Sequence, residues 1–369
     1  MKGQWFGEFQ NPTMKGFLRI DVDETTSGFA GRAVAFGPVE LTPTIVGSFD
    51  TLSQSNPIQF SVPLGPADPN TGFFMAWDDV APRYPGTKFA KTLQVTASWD
   101  AQHLTLKWVS DIGNEGQAVL SRTTAGTESE YVQNPITWDE FKRMVAGLEP
   151  RRFVFRGQSD QKRLRTTYHR TGRADLTRYA YQDIPALHQY LSSRTRHFFN
   201  LQDPKEYGAF LHLAQHHGYP TPLLDWSFSP YVASFFAYRS SRNSQAAVAE
   251  ETQRVRIYKF DKQAWQETYA EETKLDALKL HISAYEFLAI DNERMIPQQA
   301  MSILTNIDDI ERYIRTREND GTRKYLEVFD LSIRDRPSIM RELSMMGVTA
   351  GSLFPGLDGS CEELKERFF

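Results

Sequence analysis

One cysteine, Cys361, is all that 369 residues carry. No intramolecular disulfide can form, and a zinc site built on two or more cysteines is excluded. This usage fits a reducing compartment, so a cytoplasmic location is expected. No run approaches the roughly 18 apolar residues that a membrane-spanning helix needs. The opening Met1-Lys2-Gly3-Gln4-Trp5-Phe6-Gly7 has no apolar core of signal-peptide length, and no membrane partner is expected. Also missing are a Gly-x-Gly-x-x-Gly turn, a Walker loop, a Gly-x-Ser-x-Gly elbow and a zinc-binding spacing. A formal net charge of −4 argues against a uniformly basic, nucleic-acid-coated surface.

The length allows two domains. Up to about Thr124 the texture is that of short alternating strands between Gly, Pro, Asn and Asp turns. Gly16–Val22, Gly31–Phe36, Ile58–Val62, Thr92–Trp99 and Leu104–Val109 all alternate with period two. That pattern predicts an all-β antiparallel barrel or sandwich over residues 1–125. Trp99-Asp100-Ala101-Gln102-His103 reads as the hairpin turn between its last two good strands. His103 and the pair Asp78-Asp79 sit at turns, where such residues normally shape the backbone. The module offers no catalytic constellation, although a barrel mouth can hold a ligand and a strand edge can dock a partner protein.

Residues 126–136 are polar and form the expected linker. Residues 137–369 read as α+β, roughly five short strands among helices. Thr137 with Glu140 is a capping box, and Asp203-Pro204 and Ser229-Pro230 open further helices. Phe153-Val154-Phe155 is a short apolar strand leading into Arg156-Gly157-Gln158-Ser159-Asp160. Arg at a strand's carboxyl end suits phosphate or carboxylate, since its planar fork binds both bidentately. Gly157 permits a sharp turn or a close approach to a ligand. In Leu223-Leu224-Asp225-Trp226-Ser227, Asp225 and Ser227 share one side of the strand, just before a helix N-terminus that favours anions.

Between Arg151 and Asn200, eleven Arg or Lys face only three Asp. Such a block attracts anionic ligands or nucleic acid, or is simply a solvated basic face. His212 and His216, four apart on one helix, share a face in metal-ligand geometry with Asp225 as a third group. The Glu of a His-Glu-x-x-His site is absent, and packed or hydrogen-bonded histidines are the commoner outcome, so no metal is assigned.

Four pieces together resemble the FRG domain family, named for its Phe-Arg-Gly start. They are Phe155-Arg156-Gly157-Gln158; His217-Gly218 through Asp225-Trp226-Ser227 with Ser229-Pro230 and Ala233; Arg294 to Gln298-Gln299; and Leu353-Phe354-Pro355-Gly356-Leu357-Asp358-Gly359. They follow the family's order over Trp138–Phe369, with Ala300 where a Gly is expected after the glutamine pair. Their order is also similar to that of the arginine-serine-glutamate class of ADP-ribosyltransferases, which implies a split sheet with flanking helices. In that class an aromatic-Arg-Gly strand holds the dinucleotide phosphates, a Ser strand follows, and a later strand carries a catalytic Glu. Arg156 and Ser227 match the first two elements, and Gln298-Gln299 stands where the Glu would be.

The resemblance implies NAD as substrate. Arg156 would hold the pyrophosphate, Ser227 would orient Arg156 or the ribose, and Gln298 would bond the ribose. Asp225 would supply the negative charge that Gln298 lacks, as positive charge develops on the ribose. Trp226 or Tyr168 would stack on nicotinamide or a target base, with Phe155, Gly157, Gln158, His217 and Arg294 completing the NAD contacts. The function expected is an NAD-dependent ADP-ribosyltransferase or NAD-cleaving effector, toxin-like in bacterial defence, with a protein or nucleic-acid target. The alternatives are a non-catalytic nucleotide- or nucleic-acid-binding module, favoured by the missing Glu, and a metal-dependent nuclease or hydrolase on His212, His216 and Asp225.

Overall fold

Alternation in the first third produces a closed barrel rather than a sandwich. The computed structural model describes all residues except 12–13, 38–43, 69–70, 320–322 and 369. Eight strands run antiparallel in chain order: β1 (Gly3–Gln10), β2 (Lys15–Glu24), β3 (Phe29–Phe36), β4 (Thr44–Asp50), β5 (Ile58–Ala67), β6 (Thr92–Trp99), β7 (His103–Ser110) and β8 (Glu115–Arg122). Pairing of Trp5 with Arg122 joins β1 to β8 and closes the ring. Closure leaves no free sheet edge.

Two stretches from the later chain, Thr167–Gln189 and Lys274–His281, belong to the barrel's compact unit with Met1–Thr124. The continuous 137–369 domain expected from sequence is therefore interrupted twice. The outer barrel face explains this. On β2, Leu18, Ile20 and Val22 point inward, yet the outward Arg19, Asp21 and Asp23 are buried as well. Asp23 accepts from the backbone N–H of Ala174 (2.8 Å) and Asp175 (3.1 Å) and from Arg173 Nε (2.7 Å). Arg32 donates to Thr177 Oγ1 (3.0 Å) and to the Asp276 carbonyl (2.9 Å). Leu278 packs with the outward Val34, Val46 and Ala67. Buried charges need such partners, and these two stretches supply them.

The second unit holds Ala125–Thr166, Tyr190–Thr273 and Ile282–Phe369. It is α+β, with six strands rather than five: β9 (Phe153–Gln158), β10 (Leu223–Ser227), β11 (Arg254–Asp261), β12 (Ile282–Tyr285), β13 (Ala300–Thr305) and β14 (Leu326–Ser332). Their order across the sheet is β12-β13-β10-β9-β11-β14, every neighbouring pair antiparallel. The β9–β10 junction is the weak seam. It carries the single register pair Ser227–Phe155, whereas β10–β13 carries five pairs and β9–β11 six. The expected caps are present: Thr137 and Glu140 form the capping box, Asp203 caps Pro204–His216, and Ser229 caps Pro230–Arg239.

The helix Pro230–Arg239 lies against β9. A Cβ at Gly157 would stand 1.8 Å from the Ala233 carbonyl oxygen and 2.7 Å from the Ala237 nitrogen. Gly157 therefore admits a helix, not a turn or a ligand. Beside it, Phe155 joins the core with Phe235, Tyr238, Val255, Ile257 and Leu331.

Candidate functional site

The seam between β9 and β10 brings the motif residues together. Arg156, on β9, donates from Nη1 to the Asp225 carbonyl at 2.6 Å. Ser302 on β13 is the register partner of Asp225, and its hydroxyl donates to Asp225 Oδ1 at 3.1 Å. The helix Pro204–His216 sends two imidazoles to the same place, and His212 Nε2 stands 3.6 Å from Asp225 Oδ1. Asn292 bridges the pair. Its carbonyl accepts from His216 Nδ1 at 2.8 Å, and its amide nitrogen meets His212 Nδ1 at 3.1 Å.

One amide thus forces opposite roles on two histidines. His216 carries its proton on Nδ1 and, when neutral, keeps a lone pair on Nε2. His212 accepts at Nδ1 and carries its proton on Nε2, which faces Asp225 from 3.6 Å, beyond hydrogen-bond reach. Burial, then the His212 charge, pushes the His216 imidazole below its ordinary value, with Asp225 opposing. Burial raises the Asp225 carboxyl. The adjacent His212 first, then the charges of His216 and Arg156, outweigh it and hold the group well below the usual carboxylate range. Asp225 is therefore an anion across ordinary pH, with 39% of its side chain accessible.

Arg156 lies inside β9, opposite Tyr258 on β11, rather than at the strand's carboxyl end, and its motif shares one seam with the one that forms β10. Residues 151–246 match the FRG domain. The FRG segment contributes Arg156, His212, His216, Asp225 and Ser227, while Asn292, Gln298 and Ser302 come from the chain after it. No curated protein matches the sequence. One solved structure, a redesigned beta barrel, is similar over 33% of this chain and 90% of its own, at 12% identity and a TM-score of 0.23.

Of the residues expected to act, Arg156 and Asp225 stand at the seam with solvent access. Ser227 and Gln298 are present but consumed by the scaffold. The Ser227 hydroxyl donates to the Gln298 carbonyl at 2.7 Å and accepts from the Ser229 N–H at 3.0 Å. Gln298 Nε2 donates to the Leu353 carbonyl at 2.9 Å, and only 7% of the residue is exposed. Gln298 is thus not placed to bond a ribose; it ties Leu353 and the approach to β13 to β10. Next to it, Gln299 takes a left-handed φ of 45° and accepts from the Phe228 N–H at 3.0 Å.

The expected NAD contacts divide similarly. Phe155 and Gly157 face the core and the Pro230–Arg239 helix. Trp226 is buried against Phe260, and buried Gln158 donates to the Lys162 carbonyl. Tyr168 lies in the barrel unit, buried beside Tyr179 under Arg173, because Thr167–Gln189 covers the barrel. His217 is exposed at the C-cap of its helix. Arg294 donates to the His216 carbonyl at 2.9 Å and lies over Phe354, so it braces the histidine helix.

The basic block is largely neutralised within each unit. Arg152 pairs with Asp261, Arg163 with Glu130 and Asp309, Arg165 with Asp308, and Arg151 with Glu286. Arg173 pairs with Asp23 and Asp183. Apart from Asp183, these acids lie outside the counted stretch, so a local charge count missed them. Asn292 and Ser302 escaped the sequence reading too. The signal for Ser302 was a hydroxyl inside the apolar run Met301–Leu304.

Proposed function

We propose that the second unit binds NAD at the seam of its sheet and cleaves the nicotinamide–ribose bond, passing ADP-ribose to water or to a macromolecular acceptor. One observation carries the reading: the Arg156 strand, the Asp225–Ser227 strand and the strand entered through Gln298 are neighbours, split between β9 and β10. This is the arrangement that the arginine-serine-glutamate resemblance calls for, and the FRG segment supplies its first two strands.

The residues divide the work. Arg156 holds the pyrophosphate. The C–N bond breaks with its electron pair leaving on nicotinamide, and the Asp225 carboxylate stabilises the positive charge that develops on the ribose. The acceptor oxygen attacks the ribose carbon, and its proton passes to the lone pair on His216. Ser227 and Gln298 hold β10 and the entry to β13 in register. The test is release of nicotinamide from labelled NAD, with protein, DNA and RNA acceptors present. Arg156→Ala and Asp225→Asn are expected to lose about 100-fold or more. Unchanged turnover in both variants overturns the reading, and NAD binding without turnover makes the unit a binding module.

A second reading has its own observation. His212, His216 and Asp225 each offer a ligand atom, all within 4.8 Å of one another. A divalent metal there would make the unit a hydrolase or nuclease. The Asn292 carbonyl suits His216 as a ligand, but its N–H facing His212 Nδ1 makes His212 Nε2 a donor, and turning the amide would only pass that conflict to His216. Turnover abolished by a chelator and restored by metal selects this reading.

A further inference from the structure

The barrel of the first unit is hollow. Its interior holds a cavity of about 690 Å³, within the size range of small-molecule sites. Eight strands make a barrel that side chains can just fill or that can hold one small ligand, so inner side-chain size decides the outcome. Here Ala33 on β3 pairs with Gly47 on β4, and Ala35 is the next inward position. Small residues on neighbouring strands leave the space open. The exposure pattern on β3 is inverted as a result: outward Val34 is fully covered, while inward Ala33 and Ala35 remain partly accessible.

The lining states the chemistry of the occupant. The deep wall is aliphatic and aromatic, with Phe9, Ile20, Phe60, Leu93 and Trp108 among its residues. Trp77, Tyr84 and Phe89 also line it, Trp77 stacked on Phe89 at 4.8 Å and on Tyr84 at 6.3 Å. Beside them Gly86, Thr87 and Lys88 both line the cavity and reach solvent, which makes this segment its mouth. No Asp or Glu lines the cavity among the described residues, and Lys88 is the charged side chain that does. Lys88 is exposed and, among the described residues, has no hydrogen-bond or ion-pair partner. Asp78 and Asp79 lie on the same segment but do not line the space.

We propose that the barrel binds a small amphiphile, an apolar chain or ring system ending in one anionic group, with its body in the cavity and its anion at Lys88. The class is that of a medium-chain carboxylate. Burial of the apolar body supplies most of the affinity, and an exposed ion pair at the mouth adds a smaller, selective increment. The site is independent of the NAD reading, because every lining residue lies in Met1–Thr124.

The test uses the full chain. The probe is 1-anilinonaphthalene-8-sulfonate, followed by its fluorescence and displaced by dodecanoate or dodecanol. Saturable binding and displacement by both are expected. Ala33→Phe fills the cavity and should abolish binding. Lys88→Glu should weaken dodecanoate about two- to fivefold while leaving dodecanol unchanged. Circular dichroism and thermal unfolding establish that each variant is folded. Absence of saturable binding, or a folded Ala33→Phe protein that still binds, overturns the proposal. An equal loss of both ligands in Lys88→Glu overturns the assignment of the anion. Should Ala33→Phe fail to fold, the dodecanoate–dodecanol contrast in Lys88→Glu decides.

Discussion

Asn292 shows how much chemistry one buried amide can set. By accepting from one imidazole and donating to the other, it leaves a base on His216 and a donor on His212 beside an ionised Asp225. Asn292→Asp replaces the amide donor by an acceptor. His212 is then expected to carry its proton on Nδ1, seen as exchanged ¹⁵N shifts of the ring nitrogens, with turnover reduced about tenfold or more. In the barrel unit, burial first and the Arg19 charge second push the His281 imidazole down to about 3, against a hydrogen bond that the ring donates to the Lys274 backbone carbonyl. Unfolded histidine titrates near about 6.5, so the unfolded chain binds the extra proton between those values. This contribution to stability is whole above about pH 6.5 and is lost as pH falls towards 3. Asp175, raised to about 6 chiefly by burial, acts in the opposite sense, because the folded state takes up its proton first. His281→Gln should therefore flatten the acid limb of the melting-temperature profile between pH 7 and 4. An unchanged slope would remove His281 as its source.

At the level of the elements, the Phe-Arg-Gly strand has three separate jobs. Phe155 fills the core, Arg156 reaches across the seam, and Gly157 lets the Pro230–Arg239 helix close on β9. A methyl at position 157 meets backbone atoms of that helix, which cannot rotate away as a side chain tip can. Gly157→Ala should cost about 1–3 kcal/mol or more, read as a lower denaturation midpoint. Arg156→Lys, which alters the fork but not the core, should leave the midpoint unchanged. The capping residues were legible because each cap is a local exchange of hydrogen bonds: Thr137, Asp203 and Ser229 act within three residues of themselves. Element ends resting on distant contacts were harder to place. The apolar run Tyr285–Ile290 reads locally as a strand, yet the strand that forms is Ile282–Tyr285, because its pairing with Ser302–Thr305 decides where it starts and stops.

For the whole molecule, the barrel is made from three stretches of chain, not one. A fragment ending at Thr124 leaves the outward Arg19, Asp21, Asp23, Arg32 and Val34 without their cover. That fragment should melt at lower temperature and less cooperatively than the barrel within the full chain, since it loses the apolar burial under Leu278 and the hydrogen bonds made to Asp23 and Arg32. A fragment as stable as the barrel in the intact protein would refute this account. The same comparison separates what sequence alone determined from what tertiary structure decided. Period-two alternation, the helix caps, the α+β texture and the arginine after an apolar strand were all readable, because each depends on residues a few positions apart. The closure of the barrel, the void inside it, the neutralised basic block and the bridging of His212 and His216 by Asn292 were not. Each of these is a meeting of groups tens to hundreds of residues apart, and local pattern carries no information about which distant partner will satisfy a buried charge or leave a space unfilled.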